Sequence, residues 1–256
     1  MRSKFILVLL IFFGQAGLFA EEHYNFFQFS CDSVCYIKQP SRWEGLDWQK
    51  FAFIGAGAAV LSQFDEKVQD YFQAHPGHDH NALIVGGRMW GDYYPTLIIF
   101  SAFGLHGWAY GDNLSKRITI EIFQTTLYSE ALTEVLKGAV GRARPYTGRG
   151  PFTFRPGSFF KSSYNSFPSG HSTAAFAVSS VISKNVSSDY LKALVYVPAV
   201  CTMVSRSYQD KHWASDNFVG AAIGYSVGTW LVDTDRLSNM GIKLSSIYPP
   251  TIQMSF

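Results

Sequence analysis

Three short blocks in the second half of this 256-residue chain combine the residue types that cleavage of a phosphate ester needs. The first holds Lys137 and Arg144-Pro145, the second Pro168-Ser169-Gly170-His171, and the third Ser205-Arg206 with His212 and Asp216. Phosphoryl transfer requires a nucleophile in line with the leaving oxygen, donors that hold the equatorial oxygens, and an acid for the departing alkoxide. Two imidazoles, one carboxylate and three cations supply those types. Lys137 and Arg144 stand seven apart, two turns of α-helix, so the spacing predicts both cations on one face of an element that Pro145 ends. His212 and Asp216 stand four apart, which on a helix sets the carboxylate beside the imidazole. Ser169 and Gly170 precede an apolar helical run beginning near Ser172. That order predicts backbone N–H groups and the positive end of a helix at an anion, with Gly170 allowing close approach.

In order and spacing the blocks read Lys, six residues, Arg-Pro; Pro-Ser-Gly-His; Ser-Arg, five residues, His, three residues, Asp. This pattern resembles the type 2 phosphatidic acid phosphatase superfamily, which also holds bacterial acid phosphatases and vanadium haloperoxidases. The resemblance covers Lys137 to Asp216, while residues 21–92 match no motif. It implies a metal-independent phosphatase that hydrolyses phosphomonoesters or lipid-linked phosphates and pyrophosphates through a phosphohistidine. By that resemblance His212 is the nucleophile and Asp216 holds its other ring nitrogen in the correct tautomer. His171 protonates the leaving group and then activates water. Lys137, Arg144, Ser169, Gly170 and Arg206 bind the phosphate, the arginines as charge-assisted, bidentate donors.

No cofactor and no metal ligand enter that scheme. Vanadate is expected as an inhibitor, because its five-coordinate form mimics the transition state. In the haloperoxidase alternative vanadate is instead the cofactor, with His212 as its ligand, and the three motifs do not separate the two. Chain length and the expected six-helix core resemble the phosphatases of the superfamily more than its haloperoxidases, and that resemblance favours hydrolysis. The alternative from another class is a non-catalytic helical anion binder or scaffold. In isolation His171 reads as a helix cap, His212 as a packed surface histidine, and Asp216 as an acid favoured at a helix N-terminus. Their joint occurrence in order argues against those separate readings.

The elements that must position these residues read as helices. Apolar periodicity predicts them at about 47–62, 65–73, 94–110, 116–141, 171–183, 189–204 and 215–232, and strand-like alternation is scarce. The expected fold is all-α, a bundle of about six core helices in a single domain from residue 21 to 256. Pro145 to Pro168 is the one long irregular stretch and should lie beside the site as a rim or lid. Arg142, two residues from Arg144, should point away from the phosphate cluster on a regular helix. Phe152, Phe154, Phe159, Phe160 and Phe167 crowd the same connection, where they suit either a lipid-bearing substrate or simple packing.

Charge agrees with an anionic substrate. Between Glu134 and Asp189 no acidic residue occurs, while Lys137, Arg142, Arg144, Arg149, Arg155, Lys161 and Lys184 all do. Residues 1–20 have the layout of a secretory signal, with Arg2 and Lys4 before an apolar run. Subtracting those two from the 21 Lys and Arg leaves 19 against 19 Asp and Glu, a formally neutral mature chain. An exported, periplasmic location follows, in which Cys31 and Cys35 are able to pair. Cys201 reads as a buried small hydrophobe. His75, His78 and His80 read as a hydrated loop rather than a metal site. The apolar runs are shorter or more interrupted than the roughly 20 residues of a spanning helix. That favours a soluble or membrane-associated protein over an integral one whose site faces the periplasm. No nucleic-acid partner is indicated, and the oligomeric state is not legible.

Overall fold

The computed structural model describes residues 33–76, 81–159 and 161–239. Among them there is no β-strand, only an isolated antiparallel bridge between Arg142 and Phe154. After a short helical stretch at 33–38 the chain forms α1 (Gly45–Ser62), α2 (Asp65–Ala74), α3 (Ala82–Trp90), α4 (Tyr93–Tyr110) and α5 (Asn113–Val140). An irregular segment with two single 3-10 turns then leads to α6 (Gly170–Asn185), α7 (Asp189–Leu194), α8 (Val197–Tyr208) and α9 (Ala214–Asn239). The expected all-α class is what the structure shows. The proposed signal segment, Cys31, His78, His80 and Phe160 lie outside the described residues.

Three boundaries differ from the sequence reading. Ala82–Trp90 is helical although no helix was expected between 73 and 94, and Asn81 starts it by accepting from the Leu83 N–H. Gly87 is there for contact, because a Cβ on it would collide with the Cys201 carbonyl of α8. The run 189–204 is two helices, with Pro198 in the first turn of the second, where its missing N–H costs nothing. Most important for the site, α5 ends at Val140. Gly141 adopts the left-handed conformation (φ 61°) and its N–H returns to the Lys137 carbonyl, a glycine C-cap.

Helix α6 is the centre of the bundle, packed on α5, α8 and α9. Phe100, Ile118, Ile122, Phe123, Val178, Val181 and Val232 form a core shared by α4, α5, α6 and α9. The closest seam is α6 on α9, made possible by Gly220, Gly224 and Gly228, one per turn. A Cβ on Gly224 would strike the Thr173 carbonyl and stand 2.7 Å from the Ala177 nitrogen, and one on Gly228 would be 2.8 Å from Ser180 Cβ. This seam holds the N-terminus of α6 against the first turn of α9, where Asp216 of the third motif lies.

The outer faces are unusually apolar. Trp48, Phe51 and Phe53 of α1 and Ile98, Leu105 and Trp108 of α4 are all more than half exposed. No described helix is long and apolar enough to cross a membrane.

Gly224→Ala should therefore destabilise the fold by about 1–3 kcal/mol through overpacking. Gly55→Ala in α1, where a Cβ meets nothing within 4 Å, should be neutral or slightly stabilising. Paired denaturant titrations check both, and equal midpoints for the two variants would contradict the close seam.

Candidate active site

The three motif blocks meet at the N-terminus of α6. Lys137, in the last turn of α5, is buried, and its Nζ bonds Glu134 Oε1 at 2.6 Å. The same nitrogen would be 2.9 Å from a Cβ on Gly170, so a side chain there would displace it. Arg144 lies beyond the helix, in extended backbone before a single 3-10 turn. Lys137 and Arg144 thus do not share a helix face, as the seven-residue spacing suggested. Gly141 breaks the helix, and the extended chain carries Arg144 back over the site. Its guanidinium donates to the carbonyls of Ser162, Lys211 and Asn165 at 3.0–3.1 Å. A guanidinium has five N–H donors, so two remain for an anion. Arg206, at the end of α8, spends one donor on Gln209 Oε1 (2.8 Å), while its buried Nε has no hydrogen-bond partner.

Ser169 is the N-cap of α6. Its Oγ accepts from the Ser172 N–H and hydroxyl, and its own N–H is committed to the Asp216 carbonyl at 3.0 Å. Ser169 therefore braces the turn, contrary to the expectation that its N–H faces the anion. The first-turn N–H groups that lack an intrahelical acceptor begin at Gly170 and His171. They face the same region as Lys137, with the positive end of the helix dipole behind them.

Both imidazoles are held neutral. Burial first, and then Arg206, Lys137 and Arg144, push the His171 ring well below its usual value. Burial followed by Arg144, Arg206, His171 and Lys137 does the same to His212. These couplings tie the two histidines and the three cations into one cluster. His212 Nδ1 lies 2.7 Å from the Ser166 carbonyl. A carbonyl only accepts, so Nδ1 carries the proton and Nε2 of the neutral ring keeps its lone pair, the state a nucleophile needs. A phosphate dianion opposes the three cations that depress His171, so binding it raises the ring's affinity for a proton.

The partner expected at His212 Nδ1 was Asp216, and the structure places it elsewhere. His212 precedes α9 and lies in the turn after Asp210 (φ 59°), so the helical four-residue rule does not apply to it. Asp216 Oδ2 accepts from the Trp213 N–H at 3.0 Å and from Ser166 Oγ at 2.5 Å. Its Oδ1 accepts from Arg142 at 2.6 Å. The carboxylate thus reaches His212 through Ser166, whose hydroxyl it fixes and whose carbonyl holds the ring.

Arg142 is the main residue the sequence reading set aside. It points away from the phosphate cluster as expected, but into a buried network. It donates to the Pro151 carbonyl, Ser215 Oγ, Asp216 and Asp65 at 2.6–2.8 Å. Asp65 in α2 also takes the Ser215 N–H and hydroxyl, at 2.9 and 2.5 Å. Asp65 comes from the stretch without motifs, and only its place in the first turn of α2 was visible. Asn217 completes the frame by joining Ser172 of α6 to Ser207 of α8.

Fold and site define an all-α protein with a buried cationic cluster and two neutral imidazoles at one helix N-terminus. The PAP2 superfamily model matches residues 119–238 of the chain, a stretch that holds all three motif blocks. A lipid A 1-phosphatase of Rhizobium johnstonii is 29% identical over 196 residues, 70% of this chain and 77% of that protein. A lipid A 1-phosphatase of Porphyromonas gingivalis is 35% identical over 113 residues, which are 42% of this chain and only 24% of that longer protein. Among solved structures, a transmembrane PAP2-type phosphatidylglycerolphosphate phosphatase of Bacillus subtilis has the same fold. It aligns with a TM-score of 0.51 at 23% identity, over 77% of this chain and 96% of that one.

Because Asp65 and Asp216 are both buried against Arg142, Arg142→Met should cost about 3–5 kcal/mol of stability by leaving two carboxylates uncompensated. Adding Asp65→Asn should recover part of that loss. Denaturant unfolding of the single and double variants measures it, and additive losses would contradict the shared network.

Proposed function

We propose that this protein is a phosphatase of lipid-linked phosphate monoesters that works through a phosphohistidine at His212. The observation that carries the proposal is the gathering of neutral His212 and His171 with Lys137, Arg144 and Arg206 at the N-terminus of α6. Lys137, Arg144, Arg206 and the N–H groups of Gly170 and His171 take the phosphate oxygens. His212 Nε2 attacks phosphorus, the bond to the leaving oxygen breaks, and His171 gives that oxygen a proton. Water then attacks the phosphohistidine, His171 takes the proton of the water, the P–N bond breaks, and inorganic phosphate leaves. Every positive charge in this sequence comes from side chains and the helix end.

The names of the two relatives favour hydrolysis over peroxide chemistry and make the 1-phosphate of lipid A the first substrate to test. The exposed aromatic and aliphatic faces of α1 and α4 support association with a membrane, and the signal-like residues 1–20 support export with the site facing the periplasm.

Folded His212→Ala should lose at least about a thousandfold in phosphate release, since the covalent route is gone. Wild-type hydrolysis should survive EDTA and be inhibited by vanadate. Phosphate release assays on p-nitrophenyl phosphate and lipid A decide this, and near-normal turnover by His212→Ala would sink the mechanism. Fractionation of cells expressing the full chain should leave the enzyme with membranes after a high-salt wash, because apolar contact is not screened by salt. Recovery in the salt wash would remove the membrane-associated reading.

A further inference from the structure

One buried acid beside the site has no part in the chemistry above. Glu130 of α5 is 1% exposed, and neither carboxylate oxygen has a hydrogen-bond partner. A carboxyl so placed does nothing for stability, since its desolvation goes uncompensated. Its location is informative. A Cβ on Gly170 would stand 3.4 Å from Glu130 Oε2 and 2.9 Å from Lys137 Nζ. The two groups therefore lie within roughly 6 Å of each other, near enough for each to set the other's charge state. Glu130 and Lys137 are also seven apart on α5, two turns along one face, here on unbroken helix.

We propose that Glu130 is a positioning residue that sets how much of the Lys137 charge reaches the bound phosphate. Protonated, Glu130 leaves the ammonium free to turn from Glu134 towards the anion. Ionised, it holds the ammonium beneath Gly170 and cancels part of its field. The inference rests on the reading of Lys137 as a phosphate donor.

The surroundings place the change near neutrality. Burial, with Glu134 adding to it and Lys137 opposing it, pushes the Glu130 carboxyl up to about 7. From α4 it faces Tyr93, whose hydroxyl is pushed far up by burial and by Glu130, Glu134 and Asp92, and so stays neutral. From α6 it meets the Gly170 backbone, which does not titrate, while neighbouring His171 titrates well below its usual value. On α9, Asp216 is committed to Arg142, and Asp233 and Asp235 pair with Lys184 and Arg117 at the other end of the bundle. Arg206 loses its proton only at about 10. In the anion-free site Glu130 is thus the group facing Lys137 whose charge changes near neutrality. Anion affinity should fall as pH rises through about 7.

The test uses sulfate, whose charge is constant over that range, with binding measured by calorimetry on the full-length protein. Wild type should lose about tenfold in affinity between pH 6 and 8.5, the scale of one nearby charge. Glu130→Gln and Glu130→Met, both uncharged throughout, should lose clearly less affinity than wild type between pH 6 and 8.5, the remainder coming from His171, whose proton affinity the bound anion raises. In turnover the same variants should flatten the alkaline rise in KM and leave kcat little changed. In a Lys137→Met background, Glu130→Gln should have no further effect. The titration also has a stability readout. The native carboxyl binds its proton more tightly than the unfolded one, so wild type should lose stability relative to Glu130→Met as pH rises from about 4.5 through about 7. An unchanged pH dependence of sulfate affinity in folded Glu130→Gln or Glu130→Met would overturn the role of Glu130, even with the phosphatase intact. A wild type that neither binds sulfate nor releases phosphate would overturn the functional reading, and this inference with it.

Discussion

Everything at the site hangs on one buried ion network. Arg142 joins Asp65 of α2 to Asp216 of α9 and also holds the Pro151 carbonyl, so a single guanidinium fixes two helices and the irregular segment between α5 and α6. Burying such charges costs several kcal/mol per ion, which the attraction returns only when every donor and lone pair is placed. Here Ser215, Ser166 and the Trp213 N–H complete the set. The arrangement is a poor device for stability alone and a good one for geometry. Through Asp216 and Ser166 it reaches His212 and determines which ring nitrogen keeps its lone pair.

The second constraint is the electrostatic tension of the site itself. Lys137, Arg144 and Arg206 are brought together at a helix N-terminus, where the α6 dipole adds positive potential. Like charges in a poorly solvated place repel, and the structure offsets this in specific ways. Arg144 is spread over three carbonyls, Lys137 is tied to Glu134, and Arg206 donates to Gln209. Both histidines answer by staying neutral. A dianion placed among these groups would relieve all of these strains at once, which is the electrostatic basis of the phosphate-binding role proposed for the cluster.

Packing makes the cluster possible. Small residues along α9 and the central position of α6 bring backbones close enough for Ser169 to bond the Asp216 carbonyl. Polar side chains fill much of the space between α5, α6 and α9, with the apolar core set further along the same helices. Further large apolar side chains lie exposed on α1 and α4.

The sequence by itself determined the fold class, most helix positions and the residue types of the site. Periodicity and the Gly, Pro and Asn punctuation are local properties, and the spacing of the motif blocks is written in one dimension. It also contained the signal for the end of α5, because Gly141 is a C-cap residue, and that end rules out a helix carrying both Lys137 and Arg144. Which groups touch depends on how the helices pack. Asp65 and Arg142 are 77 residues apart and meet because α2 is packed against the segment that follows α5. Asp216 sits four residues from His212 yet bonds Arg142 and Ser166, since a turn rather than a helix separates the pair. Glu130 is one of several acids along α5, and its place beside the site depends on α6 lying across it. Contacts of that kind depend on how helices pack, and the periodicity of a single helix carries no information about its neighbour.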